Sequence, residues 1–335
     1  MNICVYGAGA VGGHIAGRLA SAGVDVSVIA RGAQLAAIQK QGLRVETRES
    51  TLTSHPAATD QPGDLEPQDI VLVTVKAPSL PSMAEQLAGL VGPDGLVIFI
   101  GNGIPWWYFH GLGGPLGETR LPRLDPGGAL WRTVKPERAA GGVAYTAGTV
   151  VAPGVIRAEN PQNRLVLGMP DGRSDARLDL LRSLLSPSGI DTTVTTSIRD
   201  SIWAKLISNA VGGSLGVLTA SATKDVMDKP SLSRLATAMA NEAATVAKAL
   251  GADPGDPAPI VAKLATSSHV QSVVQDLVAG RQMEIDALFR APLDLAGMAG
   301  LPTPYLELVV ELVTQRARAT GQYHDALKES HASGQ

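Results

Sequence analysis

At 335 residues and 44% hydrophobic content, the chain exceeds the usual size of one hydrophobic core and has ample material for two. A formal net charge of −3 supplies no basic field for nucleic acid or an anionic membrane surface. No apolar run approaches the roughly 18 residues that a spanning helix needs, the single cysteine, Cys4, cannot form an internal disulfide, and no Cys/His cluster has metal-ligand spacing, so no metal is expected.

Asn2 to Tyr6 reads as a short buried strand starting at residue 2, which leaves no room for a signal peptide and points to the cytoplasm. Gly7-Ala8-Gly9-Ala10-Val11-Gly12 follows without a spacer. Gly7 permits a tight turn, Gly9 lets backbone N–H groups approach a pyrophosphate, and Gly12 lets the next helix pack closely with its positive end aimed at the phosphates. A helix from His14 to Ala22, a C-cap at Gly23 and a strand from Val24 to Ile29 complete the strand-turn-helix-strand unit of a dinucleotide site. A purely structural glycine turn is the alternative. The second strand ends Ile29-Ala30-Arg31-Gly32, with no acid to hold a ribose 2′-hydroxyl. The guanidinium of Arg31 suits a 2′-phosphate instead, which favours NADP(H) over NAD; a solvated surface arginine is the bland reading.

Leu43 to Glu46 suggests a short strand, and Asp69 to Val75 is a β-branched run suited to a parallel strand covered on both faces, with Lys76 at its carboxyl end. A helix is expected across Leu80 to Leu90, then a buried strand from Gly95 to Ile100 that runs into Gly101-Asn102-Gly103. Ligands of open parallel sheets bind outside the carboxyl ends of strands, so Lys76 and Asn102 emerge where a cofactor lies, unless each merely caps its strand. Ile104-Pro105-Trp106-Trp107-Tyr108-Phe109-His110 then leads into a glycine-rich stretch. That pattern fits either a lid with exposed aromatics or a packed loop or dimer contact.

Gly141 to Val151 and Val155 to Leu167 read as further strands of the first domain. Beyond Asp175 helices dominate: Ala176 to Leu185, then, after an extended stretch near Ile190 to Thr195, long runs from about Ile198. The fold class is therefore α/β: an N-terminal Rossmann-like, mostly parallel sheet (residues 1–190) with a second, all-helical C-terminal domain (residues 191–330). An apolar helix near Tyr305 to Thr314 suits domain packing or a homodimer equally, and His331 to Gln335 reads as a disordered tail.

Taken together, Gly7-x-Gly9-x-x-Gly12, Leu72-Val73-Thr74-Val75-Lys76-Ala77, Gly101-Asn102-Gly103, Trp203-x-Lys205-Leu206-x-x-Asn209 and Glu284-Ile285-Asp286 occur in the order seen in ketopantoate reductases. The chain resembles that family from Asn2 to about Arg318. The resemblance implies NADPH-dependent reduction of 2-dehydropantoate to pantoate. It further implies that Lys205 is the general acid toward the ketone oxygen, with Glu284 near that lysine and the cofactor. It implies that Asn102 lies in the cofactor loop, that Lys76 lies beneath the nicotinamide end and that Ser272 contacts substrate. Lys205 and Asn209, four apart on a helix, share a face, whereas Trp203 faces the core.

Departures from the pattern fall where the resemblance places the substrate pocket. Gly213 stands four residues beyond Asn209 where many members carry a second asparagine, Thr223-Lys224 stands where a further one is expected, and His269 replaces an amide three residues before Ser272. The expected substrate-binding set is Lys205, Asn209, Gly213, His269 and Ser272. Loss of several amides leaves a different 2-oxo or 3-oxo acid as the alternative substrate. A non-catalytic NADP(H) sensor is the reading from outside catalysis; a sensor has no need of a proton donor such as Lys205.

Overall fold

The computed structural model describes residues 1–158, 163–268 and 270–325. The expectations for His269, for residues 326–330 and for the tail from His331 lie outside them. The chain divides into two compact units. The first comprises Met1–Gly101, Phe109–Arg120 and Gly127–Ile198; the second comprises Asn102–Tyr108, Leu121–Pro126 and the chain from Arg199 onward.

The first unit holds the strands β1 (Ile3–Tyr6), β2 (Val26–Ile29), β3 (Leu43–Glu46), β4 (Thr51–Ser54), β5 (Ala57–Thr59) and β6 (Gln68–Val73). The strands β7 (Val91–Ile100), β8 (Ala139–Tyr145), β9 (Gly148–Ala152), β10 (Val155–Ala158), β11 (Arg164–Gly168) and β12 (Asp191–Val194) follow. One sheet runs β12-β11-β8-β7-β6-β1-β2-β5. Its pairings are parallel except for β8 with β11. The chain builds outward from β1 through β2 to β5, then returns to β6 on the opposite side of β1. That reversal opens a crevice at the carboxyl ends of β1 and β6, the position at which open α/β sheets bind ligands. The register pairs Tyr6 with Val73, so Gly7 and Thr74 leave the sheet side by side.

Helices α1 (Ala10–Ser21), α2 (Gly32–Gln41), α3 (Ala84–Leu90), α4 (Ala129–Thr133) and α5 (Ala176–Leu185) belong to this unit. Ile3, Val5, Ile70, Leu72, Leu96 and Ile98 of the sheet share one buried core with Ile15 and Leu19 of α1 and Leu178 and Leu181 of α5. Burying a side chain of this kind contributes roughly 1.5–3 kcal/mol. One expectation needs correction and another gains its place in the fold. The helix expected from Leu80 begins only at Ala84, because Pro78 and Pro81 break the approach into two short 3₁₀ turns. The strand at 43–46 joins a separate four-stranded sheet, β4-β3-β10-β9, to which the expected extended segments contribute the β9–β10 hairpin.

Among its described residues the second unit is helical: α6 (Ile198–Ser208), α7 (Ser214–Thr219), α8 (Thr223–Met227), α9 (Pro230–Ala249), α10 (Pro257–Thr266), α11 (Ser272–Val278), α12 (Ala291–Met298) and α13 (Pro304–Ala319). A π-helical turn at Asn209–Gly213 joins α6 to α7, and another at Asp286–Arg290 leads into α12. Such wide turns are rare and recur at functional sites. α13 buries Leu306, Val309, Val310 and Val313 and leaves Tyr305, Leu308 and Leu312 exposed.

The aromatic run is a packed loop and not an exposed lid: Trp106, Trp107, Tyr108 and Phe109 are all buried. Tyr108 shows why. Its hydroxyl accepts a 2.7 Å hydrogen bond from Trp203 Nε1, the two rings meet edge to face, and its carbonyl accepts from Arg199 Nε at 2.8 Å. Burial pushes the phenol up to about 12, so it remains a neutral partner.

Candidate active site

The turn after β1 has the shape its glycines anticipate. Gly7 has φ +108°, a conformation that side chains rarely adopt, and a Cβ there would also lie 2.8 Å from Val75 Cγ1. At Gly12 a Cβ would meet Gly7 O at 1.9 Å and Thr74 Oγ1 at 2.2 Å, so α1 packs against the turn only because that position lacks a side chain. Gly9 differs: nothing lies within 4 Å of its Cβ position. Gly9 is the N-cap of α1 and gives no side-chain cap, which leaves the N–H groups of Ala10, Val11 and Gly12 facing outward at the positive end of the helix dipole. An open cradle at a helix N-terminus with room for close backbone approach fits a pyrophosphate.

Arg31 is exposed and caps α2, next to the end of β2. Its guanidinium bonds the Tyr6 phenol, partly countering the upward push of burial on that group; the Tyr6 hydroxyl donates to Gln86 Oε1 at 2.6 Å. Lys76 is half-buried at the start of the turn beyond β6. Glycine turn, Arg31 and Lys76 thus gather within the first unit at the carboxyl side of β1, β2 and β6.

The second unit brings together the segments that carry Asn102, Lys205 and Glu284. Ile104 N–H donates to Ala287 O at 2.9 Å, and a Cβ on Gly103, at φ +87°, would lie 2.2 Å from that same oxygen. Asn102 therefore sits at the foot of a loop docked on the π turn that starts two residues after Glu284. Arg123, in the Leu121–Pro126 segment of the same unit, bonds Asp294 through Nε and Nη2 at 2.5 and 2.9 Å and lies 3.5 Å from Asp286. Tyr323 donates to Asp286 at 2.8 Å. Met283 N–H donates to Gln322 O at 3.0 Å, and the Gln322 amide spans the carbonyls of Asp276 and Arg281 at 2.8 Å each. Glu284 is buried at the end of this braced turn, 6% exposed.

Lys205 follows Trp203 on α6 by two residues, and the buried indole anchors that stretch of the helix through its bond to Tyr108. Desolvation pulls the Lys205 amine down to about 8, and the charge of Glu284 opposes that fall. An amine that titrates there, facing a buried carboxylate, exchanges a proton close to neutrality, which is what general acid–base chemistry requires.

Asn209 opens the first π turn, half-buried and one turn beyond Lys205. Gly213 closes that turn in a buried position; a Cβ there would lie 3.0 Å from Val273 Cγ1 and 3.5 Å from Phe289 Cζ. Ser272 is exposed at the first turn of α11, immediately before Val273. Thr223 is buried, with its hydroxyl directed at Ser267 O at 3.4 Å, while Lys224 is exposed.

Several supporting residues escaped the sequence reading. Thr74 Oγ1 donates to Gly7 O at 2.7 Å and ties the two strand ends together. Its place at the end of a β-branched run was the available signal. Gln34, Tyr108, Arg123 and Gln322 carried none, since their partners lie far away along the chain.

Residues 3–106 match the model of the ketopantoate reductase PanE/ApbA family, and residues 197–317 match that of the family's C-terminal region. A 2-dehydropantoate 2-reductase of Mesorhizobium japonicum is 40% identical over 327 residues, covering 96% of this chain and all of its own. The crystal structure of a candidate ketopantoate reductase from Ralstonia solanacearum superposes with TM-score 0.89 at 35% identity, over 96% of this chain and 99% of that one. The 2-dehydropantoate 2-reductase of Methylococcus capsulatus gives TM-score 0.81 at 26% identity, over 96% and 99%. With both halves matched in order and a 40% identical relative of equal length, the chain belongs to the ketopantoate reductase family, oxidoreductases that act on CH–OH groups.

Proposed function

We propose that this protein reduces 2-dehydropantoate to pantoate with NADPH, with Lys205 as the proton donor. The observation that carries the reading is the Lys205–Glu284 pair, an amine brought down to about 8 beside a buried carboxylate, in a chain whose first unit has an open phosphate cradle. The nucleotide, when bound, supplies the hydride.

In this reading the backbone of Gly7, Ala8, Gly9, Ala10, Val11 and Gly12 binds the pyrophosphate, Arg31 takes the 2′-phosphate, and Lys76, Asn102 and Glu284 contact the cofactor toward its reactive end. The Lys205 ammonium bonds the ketone oxygen, stabilises the negative charge that gathers there, and gives up its proton. Glu284 keeps that amine charged at neutral pH, and Asn102 orients the participants. Asn209 and Ser272 hold the substrate's polar groups, with Gly213 lining the pocket beside them.

A second reading, reduction of a different small 2-oxo or 3-oxo acid, is favoured by the surroundings of Gly213. Val273 and Phe289 fill the space a side chain would take there, which makes that wall apolar. Steady-state kinetics with ketopantoate beside branched and aromatic 2-oxo acids separate the two. We expect the highest kcat/KM on ketopantoate; a preference of two or more orders of magnitude for another acid would assign the protein to that substrate.

A further inference from the structure

We infer that Gln34, in the first turn of α2, is a positioning residue that holds the phosphate turn in its binding shape. The inference rests on the nucleotide reading above. The Gln34 Nε2 donates to Ala8 O at 2.7 Å, and its Oε1 accepts from Gly154 N–H at 3.0 Å. These two partners fix the orientation of the amide, because exchanging its oxygen and nitrogen would set oxygen against carbonyl and N–H against N–H.

The contact bears on the cradle through the geometry of one peptide unit. In a planar trans peptide the C=O and the following N–H point in opposite directions, and among the described residues no peptide is cis. A donor that pins Ala8 O on one side therefore turns the N–H of Gly9 to the other, and the absent side chain of Gly9 leaves open space beside that peptide. The side chain that sets this plane is itself anchored. Gly154 sits at the β9–β10 turn with φ +76°, and its carbonyl accepts from Arg44 N–H at 2.8 Å. The small sheet thus supports the turn a second time through Gly13, whose Cβ position lies 2.9 Å from Ile156. A glycine-rich turn has the largest conformational freedom to lose on binding. Holding one of its peptides in advance removes part of that cost.

The test compares Gln34→Glu, which keeps an acceptor for Gly154 N–H but cannot donate to Ala8 O as a carboxylate, with Gln34→Met, which keeps the stem and loses both bonds. Fluorescence titration of each full-length variant with NADPH and with NADH gives the dissociation constants. Both variants should bind both cofactors about three- to tenfold more weakly, as loss of the bond to Ala8 O, common to the two, dictates. The NADPH-to-NADH ratio and kcat at saturating NADPH should stay as in the parent. Parent-like affinity in Gln34→Glu would overturn the inference, as would a loss confined to NADPH, which would move the effect to the 2′-phosphate, or a fall in kcat with unchanged affinity. Failure of the parent protein to bind either cofactor would instead remove the nucleotide reading and this inference with it.

Discussion

The glycine turn of the first unit and the lysine–carboxylate pair of the second are built from different material. The turn is backbone: its shape follows from missing side chains at Gly7 and Gly12, its open approach from Gly9, and its charge from the end of α1. The pair is side chain, and its character depends on how deeply two groups are buried and on what braces them: Tyr108 against Trp203, Arg123 against Asp286 and Asp294, and Gln322 beneath Met283. Backbone sites are written as local spacing. Side-chain sites of this kind are written in long-range packing, and substitution should affect the two differently.

The largest difference is expected at Lys205. Lys205→Ala should lower kcat for ketopantoate reduction by about 10²- to 10⁴-fold and leave NADPH affinity near that of the parent, read by single-turnover kinetics beside titration. Unchanged turnover would take the proton donor away from this residue. Next comes Arg31→Ala, expected to weaken NADPH binding by roughly one to two orders of magnitude, the worth of charge-assisted hydrogen bonds. NADH binding should change little; equal losses for both cofactors would refute the 2′-phosphate contact.

A pair of glycine substitutions separates folding from binding within the turn. Gly12→Ala forces a methyl into Gly7 O and should destabilise the protein by about 1–3 kcal/mol, seen as a lower Tm. Gly9→Ala meets no atom within 4 Å, so Tm should hold while cofactor affinity falls. The reverse pattern would mean that the cradle is not where the phosphates go.

The smallest effect is a displacement on the pH axis. Only the protonated amine donates, so kcat for reduction should be flat below pH 8 and fall tenfold per unit above the Lys205 midpoint of about 8. Glu284→Gln removes the charge that raises this midpoint, so the falling limb should move to lower pH, by about one unit. A shift to higher pH would mean that Glu284 does not face the amine.

The same contrast explains how much was legible beforehand. The glycine spacing, the β-branched run into Thr74 and the end of β2 at Arg31 stood in the sequence in full, because parallel strands and a tight turn leave local marks. Lys205 and Glu284 lie 79 positions apart by their numbering and carry no mutual spacing rule, so only resemblance joined them. The π turn at Asn209–Gly213 could not be anticipated, since an α-helical period continues plausibly through Ala210 and Val211. The aromatic run is ambiguous for a similar reason: Tyr108 packs on Trp203, a partner 95 positions away that no local spacing announces.

That pairing sets a timetable for synthesis. Tyr108 and Trp203 are separated by 95 positions, so at a ribosome adding about 5–20 residues per second Tyr108 emerges roughly 5–20 s before its indole partner exists. For that interval the Tyr108 ring and hydroxyl wait without the indole that finally meets them, and the chain carries an unpartnered aromatic until α6 is made.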